Sequence, residues 1–172
     1  MKVFNLHGDE WHETRDREGW RMREAFVGHH IGGELIGASM CEVEPGNKMW
    51  PYHTHYANEE WALVVRGEPT LRTPEGEQVL REGDVVCFPR GEAGAHQIVN
   101  GTDAPVRVLM LSSMVAPDVV HYVDTEKVAA SSASSAASAL ASSLIGTDGR
   151  HGGRQVRNVG EKKRMPPSGS RA

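Results

Sequence analysis

No run of about 18 apolar residues occurs in the chain, so no stretch of it reads as a membrane-spanning helix. Cysteine is scarce: Cys41 and Cys87 are the two in 172 residues, far apart and outside any CxxC-type pair. Each lies in an apolar stretch, which reads as a small buried hydrophobe. The opening MKVFNLHGDEW lacks the apolar core of a secretory signal. The expected location is therefore the cytoplasm, where the acceptor pattern Asn100-Gly101-Thr102 would be idle. There is no glycine loop for phosphate, no GxSxG, no Ser-His-Asp arrangement and no internal repeat.

Positive charge is also scarce over most of the length. Residues 1–128 hold 12 Lys and Arg against 21 Asp and Glu, a net of −9, while residues 129–172 hold 7 against 2. An acidic body disfavours a nucleic-acid-binding domain. No helix-turn-helix segment is evident either, which counts against a transcription regulator.

Composition divides the chain after Val128. Residues 129–146 are nearly all alanine and serine, and 146–172 are rich in glycine, basic residues and proline. Neither stretch has the bulky apolar residues that offset the entropy of ordering a chain. The expectation is one domain over 1–128 and a mostly disordered tail over 129–172, with at most a marginal helix in its alanine-rich part.

The body reads as all-β. ELIGASMCEVEPG (34–46), EWALVVRG (60–67) and DVVCFP (84–89) are short apolar runs closed by Gly or Pro. PTLRTPEGEQVLREGD (69–84) reads as a hairpin around Thr73-Pro74-Glu75-Gly76. HQIVNGTDAPVRVLMLSSM (96–114) reads as two strands joined at Asn-Gly-Thr-Asp. Turns every 8–12 residues predict a sandwich or barrel. The one competing helical pattern is EWHETRDREGWRMREA (10–25), whose Trp11 and Trp20 are expected to anchor an N-terminal segment on the sheet.

What stands out is PYHTHYANEEWALVVRG, residues 51–67. On a strand, side chains alternate faces, so His53 and His55 point the same way with Cα atoms ~6.6 Å apart. Two imidazoles at that spacing can converge on one transition-metal ion, and a following carboxylate would add a harder donor. Glu59 and Glu60 compete for that place; Glu60 opens the apolar run, so the sheet fixes it. His29 and His30 in VGHHIGG read as loop histidines, and His7, His12, His121 and His151 have no partner at ligand spacing. Tyr52, Tyr56 and Trp61 flank the pair, where packing is the simpler account. Asp84 and Arg90 read as solvent-exposed, and Asn100 as a turn or supporting residue.

The segment from Gly46 through His53, His55 and Glu60 to Gly67 resembles the first motif of the cupin superfamily. That motif is a glycine, HxH, a glutamate three or four residues on, then six residues and a glycine. Glu60 satisfies both gaps, whereas Glu59 satisfies only the first. The second motif is also matched: Gly83, Pro89, Gly91, His96 and Asn100 follow in order after the hairpin. The spacing from Gly46 to His53 is one residue longer than usual, and that from Gly91 to His96 two longer, both in loops. The match is tight over 46–100 and loose over 26–115.

The resemblance implies a jelly-roll-like β-barrel, a double-stranded β-helix, with a metal held by His53, His55, Glu60 and His96. Three neutral imidazoles and one carboxylate suit iron(II), manganese, nickel, zinc or copper, and not calcium or magnesium. Four such ligands on an octahedral ion leave two positions for water, substrate or dioxygen. The implied function is a metal-dependent enzyme of dioxygenase or isomerase type acting on a small polar molecule. The alternatives are a binder or sensor of a small sugar or organic acid, and an interaction protein using its basic tail. Glu59 is the nearby candidate for a general base. A homodimer is expected from the resemblance alone.

Overall fold

The computed structural model describes residues 1–131, and they form twelve strands and one short helix. In chain order the first three strands are β1 (Glu13–Arg15), β2 (Met22–Ala25) and β3 (Gly37–Val43). Next come β4 (His53–His55), β5 (Glu60–Arg66), β6 (Thr70–Thr73), β7 (Gly76–Val79), β8 (Val85–Phe88) and β9 (Gln97–Val99). The last are β10 (Val106–Ser112), β11 (Asp118–Tyr122) and β12 (Lys127–Ser131); the helix α1 (Val27–Ile31) follows β2. One face is a six-stranded antiparallel sheet in the order β1-β2-β3-β10-β5-β8. The second is built of two three-stranded pieces, β12-β11-β4 and β7-β6-β9. Backbone bridges between His53 and His96 and between Lys48 and Val99 join those pieces along a seam.

Apolar alternation explains which strand goes where. Val106, Val108 and Met110 of β10 turn inward onto Ala62, Val64, Phe88, Leu71 and Ile98, while Leu109 and Leu111 turn outward. The outward side meets Met40, Val65, Phe4, Leu6 and Trp11, so β10 is buried on both faces and its run VRVLML is nearly continuous in apolar residues. An ionic cluster pins this N-terminal cover: Arg107 donates to the carbonyls of Leu6 and Gly8 at 2.8 Å and to Glu42 Oε2 at 2.7 Å. The guanidiniums of Arg23 and Arg107 lie 4.7 and 4.9 Å from the Trp11 ring, so Trp11 is an anchor as expected. Trp20 is half-buried, with the Lys48 ammonium 5.8 Å from its ring.

Several expectations need correction. Residues 10–25 are not helical; they form the β1–β2 hairpin, with Gly19 at φ 78° in the connection and β2 paired to β3. Sheet pairing overrides the local pattern there. His29 and His30 lie in α1, not in a loop, and the helix stops at Gly32, whose φ is 83°. The close packing of Gly28 permits the helix, since a Cβ there would meet Ala38 N at 2.8 Å. Cys41 is buried but Cys87 is exposed, because the inward side of β8 at that end belongs to Phe88. Strands β9 and β10, adjacent in sequence, belong to different sheets. Asn100 closes their connection: its amide donates to Val43 O and Ala104 O and accepts from Thr102.

The strand β12 runs three residues past the composition change at Val128, pairs with β11 and buries Ala129 and Ser131. The sheet therefore continues past Val128, where the composition changes. The remainder of the tail, with its expected disorder and marginal helix, lies outside the described residues.

Candidate metal centre

The seam between the sheet pieces brings the four sequence-selected residues together. His53 and His55 occupy one side of β4, with ring centroids 5.1 Å apart. Strand β11 fixes their height, since Val120 pairs with His55 and Tyr122 with His53. Glu60 is the first residue of β5 and is buried. His96 follows the 3-10 turn Glu92–Gly94, and its backbone exchanges hydrogen bonds with His53 at 2.9 and 3.2 Å. Phe88 stacks on the His96 ring at 3.8 Å, holding its plane.

Each imidazole is oriented through Nδ1. That of His53 faces Pro51 O at 2.7 Å, that of His96 faces Gly94 O at 2.9 Å, and that of His55 faces Asp118 Oδ2 at 2.5 Å. A carbonyl or carboxylate accepts there, so Nδ1 carries the proton and Nε2 keeps its lone pair. The Nε2 atoms of His55 and His96 lie 3.4 and 3.5 Å from Glu60 Oε2. Donor atoms of His53, His55 and Glu60 lie within 4.8 Å of one another. The Nε2 of His96 is fully buried and makes no hydrogen bond, an orphaned acceptor that calls for a partner.

The electrostatics match that geometry. Burial pushes His53 well below the ordinary histidine value, helped by His96 and His55 nearby, and burial brings His96 down to about 4. Both are therefore neutral donors at pH 7. Burial also opposes charge on His55, but the Asp118 hydrogen bond and the Glu60 carboxylate outweigh it and raise its pKa. Burial raises Glu60 against the pull of His55. Asp118 is held at about 2 against its own burial, by hydrogen bonds from His55, Asn58 and the Ala57 amide.

A cavity of about 40 Å³ opens beside these groups, lined by Trp50, His53, His55, Glu60, Met110 and Tyr122 among others. Two imidazoles and a buried carboxylate at its wall, with His96 Nε2 3.5 Å from that carboxylate, form a candidate site whose donor types suit a divalent transition metal. Glu59 is exposed, outside this cavity, and accepts from Trp61 Nε1 at 2.9 Å, so it is not placed as a general base. Tyr52, Tyr56 and Trp61 do not line the cavity either.

A model of the Cupin domain matches residues 39–112 of the chain, spanning both motifs. The chain belongs to the cupin superfamily. The cupin fold is shared with a sugar phosphate isomerase from Silicibacter pomeroyi, at 29% identity and a TM-score of 0.64, over 69% of this chain and 74% of that one. A candidate sugar phosphate isomerase from Acidithiobacillus ferrooxidans aligns at 28% identity and a TM-score of 0.61, over 65% and 71%. The polyketide cyclase RemF from Streptomyces resistomycificus shares the fold at 21% identity and a TM-score of 0.55, over 69% and 83%. No curated protein matches in a sequence search. None of the helices among the described residues is long and apolar enough to cross a membrane.

Three residues around this cupin site escape sequence reasoning: Asp118, Trp50 and Tyr122. Asp118 and Tyr122 belong to β11, beyond both motifs, and reach β4 only through strand pairing. Trp50 lies between Gly46 and His53, where the motif prescribes no residue type. A second group was also unforeseen. Glu10 Oε1 lies 3.7 Å from His12 Nε2 and 3.1 Å from His30 Nδ1, so His12 does have partners at ligand spacing. Yet His12 Nδ1 accepts from the Phe26 amide at 2.9 Å. The neutral ring then carries its proton on Nε2, the atom that faces Glu10, and offers no lone pair there. This group is a polar cluster near the surface.

Proposed function

We propose that this cupin is a metal-dependent enzyme of isomerase type acting on a small oxygen-bearing molecule. In this reading His53, His55, Glu60 and His96 hold one divalent transition ion: iron, manganese, nickel, zinc or copper. The carrying observation is the orphaned His96 Nε2, buried 3.5 Å from Glu60 Oε2 beside two further imidazoles with anchored Nδ1 atoms. A bound ion would supply Lewis acidity toward a substrate carbonyl. The chain supplies the rest. Its Nδ1 anchors fix the ring planes, and Met110, Leu111 and Val120 keep the cavity wall apolar and water-poor. Tyr122, its pKa raised by burial, keeps its proton and serves as a donor at the wall.

Isomerisation is favoured over dioxygenation by the similarity, at 28–29% identity, to structures described as sugar phosphate isomerases. A homodimer and a cytoplasmic location remain part of the proposal. Elemental analysis of the purified full chain, after incubation with iron, nickel or zinc, tests the reading. One ion per chain is expected, and none bound under any condition sinks it. An oxygen electrode then separates the reaction types: substrate conversion without oxygen uptake supports the isomerase, and stoichiometric uptake assigns a dioxygenase. Ligand binding without any conversion assigns a non-catalytic binder.

A further inference from the structure

The cavity is one-sided in its chemistry. Of the twelve residues that line it, none is Lys or Arg. Three of the four proposed ligands, His53, His55 and Glu60, line it, and its other polar side chains are two serines, Trp50 and Tyr122. Ser112 is engaged with Glu60, and Ser39 with Glu24. Trp50 and Tyr122 are left. The indole Nε1 of Trp50 is fully buried without an acceptor, and the Tyr122 hydroxyl makes no hydrogen bond to the described residues. Buried N–H groups without acceptors are rare in folded proteins and call for a missing partner. The Trp50 N–H can only donate and the Tyr122 hydroxyl can donate as well, so a partner with acceptor oxygens suits both.

Charge limits that partner further. Three neutral imidazoles, the carboxylates of Glu60 and Asp118 and one divalent ion sum to zero. A neutral or singly charged oxygen ligand fits such a site, whereas a phosphate dianion would bring excess charge into an apolar cavity with no cationic side chain to pair it. The groove on the other side of Leu111 and Ser112 offers no cation either; it is lined by Ile36, Trp61 and Ser113 and carries the Glu59 carboxylate. The space is small as well. About 40 Å³ is room for roughly three waters, so a headgroup of a few atoms fills it.

Resting on the metal-enzyme reading above, we propose that the substrate is a compact unphosphorylated carbonyl or hydroxycarbonyl compound. Trp50 and Tyr122 hydrogen-bond its oxygens. On this point the chain departs from the sugar phosphates in the names of the structures it resembles.

A matched probe pair tests this by calorimetry on the full chain loaded with nickel or zinc. Acetohydroxamate is a small oxygen chelator, and phosphonoacetohydroxamate is the same molecule with a phosphonate added. The phosphonate is expected to bind at least threefold more weakly; a smaller loss, or a gain, overturns the proposal. Tyr122→Phe and Trp50→Phe should each weaken acetohydroxamate about fivefold, the worth of one hydrogen bond, with metal content and circular dichroism unchanged. Unchanged affinity in both variants overturns the donor assignment. A wild-type chain that takes up no metal sinks the metal-enzyme reading instead, so the two failures are distinct.

Discussion

Replacing Asp118 by Asn probes the one metal-site anchor that a side chain supplies. In the wild type Oδ2 accepts from His55 Nδ1 at 2.5 Å while Oδ1 accepts from the Ala57 amide at 2.9 Å. A carboxylate can accept on both sides, but an amide cannot. If the oxygen of the substituted amide faces His55, its NH₂ confronts the Ala57 N–H. If that oxygen faces Ala57, the NH₂ donates to His55 Nδ1 and drives the proton to Nε2, removing the lone pair turned toward Glu60. Either arrangement forfeits one charge-assisted hydrogen bond, worth about 1.5–3 kcal/mol. That corresponds to roughly tenfold to a hundredfold in metal affinity, the range usual for partners of metal-bound histidines. Competitive titration against a chromophoric chelator reads it, with circular dichroism to verify the fold. A folded Asp118→Asn chain that binds metal as tightly as wild type refutes the reasoning.

Further expectations concern the ligands, the ionic cluster and the C-terminal strand. His55→Ala and Glu60→Ala should each lower metal occupancy severalfold while Glu59→Ala leaves it intact; equal losses at both glutamates would show the wrong carboxylate was chosen. Glu42 sits among Arg23, Arg66 and Arg107; its burial opposes charge, but hydrogen bonds from Arg23 and Arg107 outweigh that and hold its pKa below 4.5. Its contribution is therefore present above the unfolded value and lost as pH falls through the lower folded one. Glu42→Gln should cost about 3 kcal/mol at pH 7 by leaving buried arginine unpaired. Urea melts should show that deficit shrinking below pH 4.5; a constant deficit down to pH 2 contradicts the assignment. Ending the chain after Ser131 should leave melting temperature and metal content unchanged, whereas ending it after Val128 removes part of β12 and should lower the melting temperature by several degrees. Equal behaviour of the two truncations would mean Ala129–Ser131 contribute nothing to the sheet.

How much of this was legible beforehand follows from the range over which each residue acts. The shared side of His53 and His55 comes from the two-residue period of one strand, and the choice of Glu60 from its phase in the next. His96 needed a second motif, because its approach to His53 is a backbone bridge between segments more than forty residues apart. Residues 10–25 misled because their local pattern is helical while their partner, β3, is not local. Cys87 misled because an apolar run does not say which face of an edge strand is covered, and β8 is the last strand of its sheet. Asp118 carried no signal at all: one acid in APDVVHY becomes meaningful only once β11 lies beside β4.

The three histidine anchors differ in a way that constrains how the site can change. Those of His53 and His96 are the carbonyls of Pro51 and Gly94, each two residues back along the chain, so no substitution removes them without remaking the turn. The anchor of His55 is the Asp118 carboxylate, 63 residues away in sequence, and it comes with a charge that the carbonyls lack. In the proposed site that makes His55 the most electron-rich of the three donors, and Asp118 the position where a single substitution would adjust a bound metal while leaving the backbone alone. Asn58 connects that position to the wall of the cavity. It bonds Asp118 and, through the Val115 amide and carbonyl, holds the β10–β11 connection, in which Met114 packs on the cavity residue Gly37. Metal tuning and cavity shape thus meet in the segment 113–118, outside both cupin motifs.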